Sequence, residues 1–192
     1  MGKCDPEGGA VSGALTPLNY VPSLSPGYDG SWYAVQTRSR HEKLAAYHLQ
    51  MRGVAQYLPT VIETHRWSDR RKRVELPLFP GYVFVRCIDS NARRVVVLRT
   101  PGVVRFVGPS PSGTVIPDEQ IESVRTLVER NLPWTSYPFL KAGQRVRVRG
   151  GALDGVEGVL VRRNGEDSLI ISVDAIQRSL SVSIRGYNIE AL

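Results

Sequence analysis

The stretch Pro77-Leu-Phe-Pro-Gly-Tyr-Val-Phe-Val85 constrains this chain more than any other, because a proline-gated turn must here deliver an aromatic strand. Pro77 and Pro80 have no backbone N–H to donate, so sheet pairing starts no earlier than Gly81, and Tyr82, Val83, Phe84 and Val85 are strong strand formers. Period two places Tyr82 and Phe84 on one face. Two aromatics on one face make either core or an apolar docking surface. The segment contains no nucleophile, base or metal ligand.

At 192 residues the chain suits one ordinary domain or two small ones, with a break in texture near position 135. Lys and Arg number 1 against 3 Asp and Glu in residues 1–30, 16 against 9 in residues 31–138, and 8 against 6 in residues 139–192. The positive excess sits in the middle segment and points to nucleic acid or another polyanionic surface, with a merely soluble basic domain as the bland alternative. Cys4 and Cys87 are the only cysteines, too few and too far apart for a disulfide framework or zinc-ligand spacing, and a reducing cytoplasm fits. Residues 1–30 lack the basic start and unbroken apolar run of a signal peptide and read as a disordered tail. No segment has membrane-spanning length.

Residues 32–37 form a strand candidate. Ser39-Arg-His-Glu42 after it has capping-box spacing, and a helix to about Arg52 buries Leu44, Ala45, His48 and Leu49. Strands over 54–64 and 81–88 flank the charged run Arg66-Trp-Ser-Asp-Arg-Arg-Lys-Arg73, which reads as the tip of a long hairpin. Asp89 or Ser90 can cap a short helix to Leu98, although Val95, Val96 and Val97 oppose it. A turn at 100–102, a strand over 103–107 and a helix capped by Asp118, with Ile121, Val124, Leu127 and Val128 on its apolar face, complete the first part. A proline-bounded linker over 132–140 follows. From Lys141 onward Val146, Val148, Val159, Val161, Ile171, Val173, Val182 and Ile184 alternate with polar residues, so residues 141–192 form an all-β module that removes free edges by curling into a barrel.

This order of elements resembles the NusG family of transcription elongation factors over residues 32–192. Trp32-Tyr-Ala-Val35, residues 77–85, Thr100-Pro-Gly-Val-Val-Arg-Phe-Val-Gly108 and Val115-Ile-Pro117 look like successive landmarks of the NusG N-terminal (NGN) domain, and residues 143–159 look like a KOW motif. Leu153 and Ala175-Ile-Gln-Arg178 depart from the housekeeping NusG pattern, while Leu78-Phe79-Pro80 agrees with specialised paralogs of the RfaH, LoaP or UpxY kind. The implied fold is α+β: an NGN α/β sandwich over 31–131 and a five-stranded KOW β-barrel over 141–192.

The resemblance implies an antitermination factor that binds RNA polymerase and suppresses pausing or termination on particular long operons. Tyr82 and Phe84 match positions that dock on the clamp helices, with core packing as the plainer role. Arg93 and Arg94 stand where the family meets the gate loop, unless they are only solvated helix charges. Arg38, Arg40 and His41 lie where RfaH-like proteins meet the non-template DNA strand; Arg70, Arg71, Lys72 and Arg73 are a second nucleic-acid candidate or a solvated loop. Leu153 and Val156 on the KOW loop are either barrel core or an anchor for a small-subunit ribosomal protein or Rho.

His48 and His65 read as structural or incidental, and no metal or cofactor site is expected. The chain is expected to be a cytoplasmic monomer. A KOW-containing RNA-binding or ribosome-assembly factor would use the same basic surface without polymerase. Enzymatic activity is not expected, because no nucleophile has a patterned base and no phosphate-cradling loop leads into a helix.

Overall fold

The computed structural model describes residues 30–66, 71–88, 90–132, 134–137, 143–163 and 166–192. In chain order its first part contains β1 (Ser31–Thr37), α1 (Glu42–Met51), β2 (Ala55–Tyr57), β3 (Thr60–Arg66), β4 (Arg71–Pro77), β5 (Tyr82–Cys87), α2 (Asn91–Leu98), β6 (Val103–Phe106), β7 (Val115–Ile116) and α3 (Asp118–Glu129). The second part contains β8 (Thr135–Tyr137), β9 (Gln144–Arg149), β10 (Glu157–Arg163), β11 (Glu166–Val173), β12 (Arg178–Ser183) and β13 (Asn188–Ala191). Residues 1–29, expected as a tail, lie outside the described residues.

β1 and β5 are near-continuous apolar runs because both faces of their sheet are covered. The order is β2-β5-β1-β6, all antiparallel, with β7 also paired to β1. Tyr33, Val35, Val83 and Val85 point to one face, where they pack with Ala46 and Leu49 of α1 and Val97 of α2. Trp32, Ala34 and Phe84 point to the other, with Ile121, Val124 and Leu127 of α3. Period-two alternation within the strands thus feeds two separate cores.

Several local expectations are corrected here. The long hairpin is β3 with β4, from Thr60↔Pro77 to Arg66↔Arg71, rather than residues 54–64 with 81–88. Leu58 and Pro59 end β2, and β2 pairs with β5 instead. No capping box forms at α1: its N-cap is His41 without a side-chain cap, because the Glu42 carboxylate is drawn away to the backbone N–H of Gly81 at 2.8 Å. α1 buries Glu42, Ala45, Ala46 and Leu49, and Leu44 faces solvent. α2 does form despite its three valines, with Ser90 Oγ accepting from Arg93 N–H. α3 starts after Pro117, and Asp118 is its first helical residue rather than its cap.

The second part is one antiparallel sheet in the order β13-β9-β10-β11-β12-β8. It has six strands rather than five, because residues expected as a bare linker supply β8, which adds to the edge of β12 through Ser179↔Tyr137, Leu180↔Ser136 and Ser181↔Thr135. The described pairings leave β13 and β8 as its two ends, so they do not close a barrel. Nor does a polar spacer separate two cores. One apolar cluster takes in Phe84, the buried face of α3 and Val156, Ile171 and Ile176 of the second part, with Leu132 and Trp134 packed against it.

Candidate functional site

The Pro80–Gly81 turn is held through both backbone polar groups of one residue. Gly81 donates its N–H to Glu42 Oε1 at 2.8 Å, and its carbonyl accepts from Thr37 N–H at 2.9 Å. Gly81 sits at φ +85, left-handed backbone that a side chain resists, which is why glycine follows the proline. Leu78 N–H to the Pro59 carbonyl at 2.8 Å anchors the other limb. Glu42 is 6% exposed, so a buried carboxylate is spent on fixing a turn; only the tertiary structure reveals this role.

Behind the turn lies an aromatic group. Phe79 meets Phe84 edge-on at 5.9 Å between centroids, and Tyr57 stacks on Phe84 at 6.3 Å. Phe84 is fully buried and offers no surface to a partner in this arrangement; its neighbours on both sides, Tyr57 and Phe79, are buried too. Tyr82 is half-buried against the same cluster, so of the two expected docking aromatics it alone reaches the surface. Burial pushes the Tyr57 hydroxyl above the ordinary tyrosine range, against the pull of the Arg125 guanidinium, which lies 5.4 Å over its ring. Among the described residues that hydroxyl has no hydrogen-bond partner.

The basic residues separate into two kinds. Arg38 and Arg40 are exposed and His41 half-buried at the entry to α1, where Arg38 N–H donates to the Gly102 carbonyl and His41 Nδ1 lies 2.8 Å from the Ser39 carbonyl. Arg40 has φ +62, an uncommon conformation for a residue other than glycine, which turns the chain sharply into the helix. Gly102 lets the neighbouring turn approach α1 closely: a Cβ there would stand 3.3 Å from Ala45 Cβ and 3.4 Å from His41 Cβ. Arg93 is exposed on α2.

Arg94 is different. It is 9% exposed, with its guanidinium 4.7 Å from the Tyr33 ring centroid and 5.3 Å from that of Phe106, and it donates to the Ser112 carbonyl. The helical period turns Arg94 inward where Arg93 turns outward, so Arg94 ties α2 to the sheet and to the 108–113 loop. Arg70 lies outside the described residues; Arg71, Lys72 and Arg73 are on β4, and Arg73 is exposed. The hairpin they belong to is tied to α1, since Lys43 Nζ and Thr60 Oγ1 meet the two oxygens of Glu75 at 2.8 and 2.7 Å. The Lys43 hydrogen bond, then that from Thr60, holds the Glu75 carboxyl below its usual range.

On the KOW-like loop, Leu153 and Val156 are 1% and 2% exposed and belong to the core. A single 3-10 turn over Gly151–Leu153 tucks them inward: Gly155 N–H donates to the Val148 carbonyl, Val148 N–H to the Val156 carbonyl, and Gly150 N–H to Asp154 Oδ1. They are therefore not exposed anchors. The second sheet meets α3 through polar contacts that no spacing in the sequence announces. Gln120 Nε2 donates to Asp174 Oδ2 at 3.0 Å while its Oε1 accepts from Asp174 N–H at 3.1 Å, Arg130 Nη1 donates to the Gly151 carbonyl, and Glu157 N–H to Ser123 Oγ. A cavity of about 570 Å³ opens along this seam between Pro117, Gln120, Ser123, Arg145, Glu157 and Asp174. Among the described residues no group of three or more His, Cys, Asp or Glu is placed to hold a metal, and no helix is long and apolar enough to cross a membrane.

The sequence finds counterparts among known proteins. The family model described as transcription termination factor NusG matches residues 30–125. The transcription termination/antitermination protein NusG of Lactococcus lactis is 26% identical over 175 residues, covering 85% of this chain and 94% of that protein. Its namesake from Borreliella burgdorferi is 27% identical over 181 residues, covering 84% and 98%. A solved structure titled "Domain interaction in Thermotoga maritima NusG" is 21% identical and aligns over 81% of this chain and 93% of its own, with a TM-score of 0.42.

Proposed function

This chain belongs to the NusG family, and from that premise we propose that it is a transcription elongation and antitermination factor that binds RNA polymerase and suppresses pausing or termination on particular operons. The observation that carries the reading is the turn at Gly81, fixed by Glu42 and Thr37 so that β5 presents Tyr82 at the surface over a rigid aromatic bed. Such preorganisation limits the entropy lost when a flat aromatic docks on a helical partner. Phe84 belongs to the cluster against which Tyr82 packs, and its own face becomes available to the clamp helices only if α3 and the second sheet move away.

Arg93, on the opposite side of the first sheet from Phe84, is the remaining candidate for the gate loop, and a protein touching both walls of the cleft resists clamp opening. That requires differential affinity for the active polymerase and no bond chemistry. Arg38, Arg40 and His41 take the non-template strand, with phosphate and base stacking as the available contacts. The second sheet takes the part of the family's KOW barrel and recruits a further partner, a small-subunit ribosomal protein or Rho, through its surface rather than through Leu153 and Val156. The departures at Leu153 and at residues 175–178 support a specialised role.

Affinity for core RNA polymerase tests the reading. Tyr82→Ala should weaken binding by about 2 kcal/mol with the fold intact by circular dichroism. Undiminished affinity of the folded Tyr82→Ala chain would remove the docking assignment. Phe84→Ala serves as the contrast, since it should lower stability first.

A further inference from the structure

α1 carries apolar side chains on two opposite faces. Ala45, Ala46 and Leu49 are buried against the first sheet, whereas Leu44, Tyr47 and Met51 are 46%, 50% and 68% exposed. At about 100° per residue the two sets point in opposite directions, so one core cannot use both. The steps of three and four between Leu44, Tyr47 and Met51 are those of an a/d seam, the row that one helix offers to another.

The flanks of that seam carry the charge information. With Leu44 and Met51 at a and Tyr47 at d, the e and g positions are His41, Lys43, His48 and Gln50, none of them acidic. Within residues 38–53 the sole carboxylate is Glu42, buried and taken by Gly81. Arg38, Arg40 and Arg52 are exposed around the helix, and the Glu75 that meets Lys43 comes from β4. A second copy of this chain would bring no carboxylate of its own helix to these flanks. Leu and Met at two of the three seam positions offer no ring for a nucleobase to stack on.

We propose that the outer face of α1 is a docking seam for an acidic amphipathic helix of another protein, with apolar a and d residues against Leu44, Tyr47 and Met51 and Glu or Asp along its flanks. This is a surface separate from the Tyr82 face and does not depend on the polymerase reading. Ten residues of helix supply only about one and a half heptads, so the contact is short and readily reversible.

The test adds a capped three-heptad peptide, Leu at a and d and Glu at e and g, to the isotope-labelled full chain and follows backbone amide shifts. A peptide with the same seam but Lys flanks and an oligo-dT strand run alongside. The Glu peptide should move the amides of residues 43–52, the Lys peptide should bind about tenfold more weakly, and Leu44→Gln with Met51→Gln should weaken the Glu peptide about tenfold or more. Both altered side chains are exposed, so circular dichroism should be unchanged. Four results overturn the proposal: no shifts on α1, equal binding of the Lys peptide, shifts on α1 from oligo-dT with an inert peptide, or an α1 seam already covered in the peptide-free chain. The last is read from shifts that depend on protein concentration, which assign the seam to a second copy, or from shifts on removing residues 1–29, which assign it to the chain's own N-terminal segment.

Discussion

α1 and α3 lie against opposite faces of the same sheet, yet their outer sides have opposite fates. The outer side of α3 presents Gln120 and Ser123, which meet Asp174 and Glu157 of the second part; the outer side of α1 presents Leu44, Tyr47 and Met51, which are exposed. Apolarity therefore does not say which side of a helix is buried. At α3 the apolar residues are contributed to a cluster shared by both parts of the molecule, and directional hydrogen bonds set the register of the seam. Hydrogen bonds to water can replace such polar contacts at modest net cost, whereas an apolar ridge gains nothing from water. Water can accordingly replace the polar part of the α3 seam, but the apolar cluster it shares with the second part opposes opening, and the α1 ridge stays exposed until something apolar meets it.

Substitutions along α1 should show the largest contrast. Leu49→Ala, from the buried face, should cost about 2–5 kcal/mol, and Leu44→Ala, from the exposed ridge, should stay within about 0.5 kcal/mol, both by urea denaturation. Equal costs would mean that the ridge is covered in solution and would break the comparison.

At α3, replacing Gln120 with Ala removes both hydrogen bonds to Asp174 and should weaken the seam by about 1–2 kcal/mol. Hydrogen exchange should then quicken in α3 and β11 while β1 and β5 keep their protection. Uniform loss of protection would show instead that the two sheets unfold as one unit.

Tyr57→Phe sharpens the same point from inside the cluster. Its hydroxyl is buried without a partner among the described residues, so its removal should raise stability by about 1 kcal/mol, seen as a higher denaturation midpoint. Lower stability would mean that the hydroxyl is satisfied in solution.

The smallest effect concerns the tie between α1 and the β3–β4 hairpin. Lys43 and Thr60 hold the Glu75 carboxyl below its ordinary value, so the pair contributes stability above the unfolded carboxyl pKa of about 4.3, and that stability is lost as pH falls through the lower folded value. Glu75→Gln should therefore cost at most about 0.5 kcal/mol at neutral pH, after screening of a half-exposed pair, and nothing in strong acid. A difference between the two chains that persists in strong acid would show that Glu75 matters for packing rather than for charge.

Much of the first sheet was legible because local chemistry and tertiary demand agree there. The two prolines before Gly81 set where β5 begins, Ser90 caps α2, and period two in β1 and β5 divides Trp32, Ala34 and Phe84 from Tyr33, Val35, Val83 and Val85. Where two local signals competed, the sequence reading went astray. Ser39 and Glu42 have capping spacing, but the Gly81 N–H is a better-placed donor for that carboxylate. Leu44 is as apolar as Leu49, and only the orientation of α1 on the sheet decides which is buried.

The candidate site divides along the same line. That the middle of the chain is basic, that an aromatic strand follows Pro80–Gly81 and that residues 141–192 are all β are properties of composition, propensity and period, which act over a few residues and need no partner to be read. Arg94 buried while Arg93 is exposed, Leu153 and Val156 folded inward, residues 135–137 recruited as a sixth strand and Gln120 paired with Asp174 depend on contacts between residues far apart in the chain. Local propensity carries no term for those contacts; packing area, buried hydrogen bonds and the avoidance of free edges decide them, and these exist only once the chain has closed on itself.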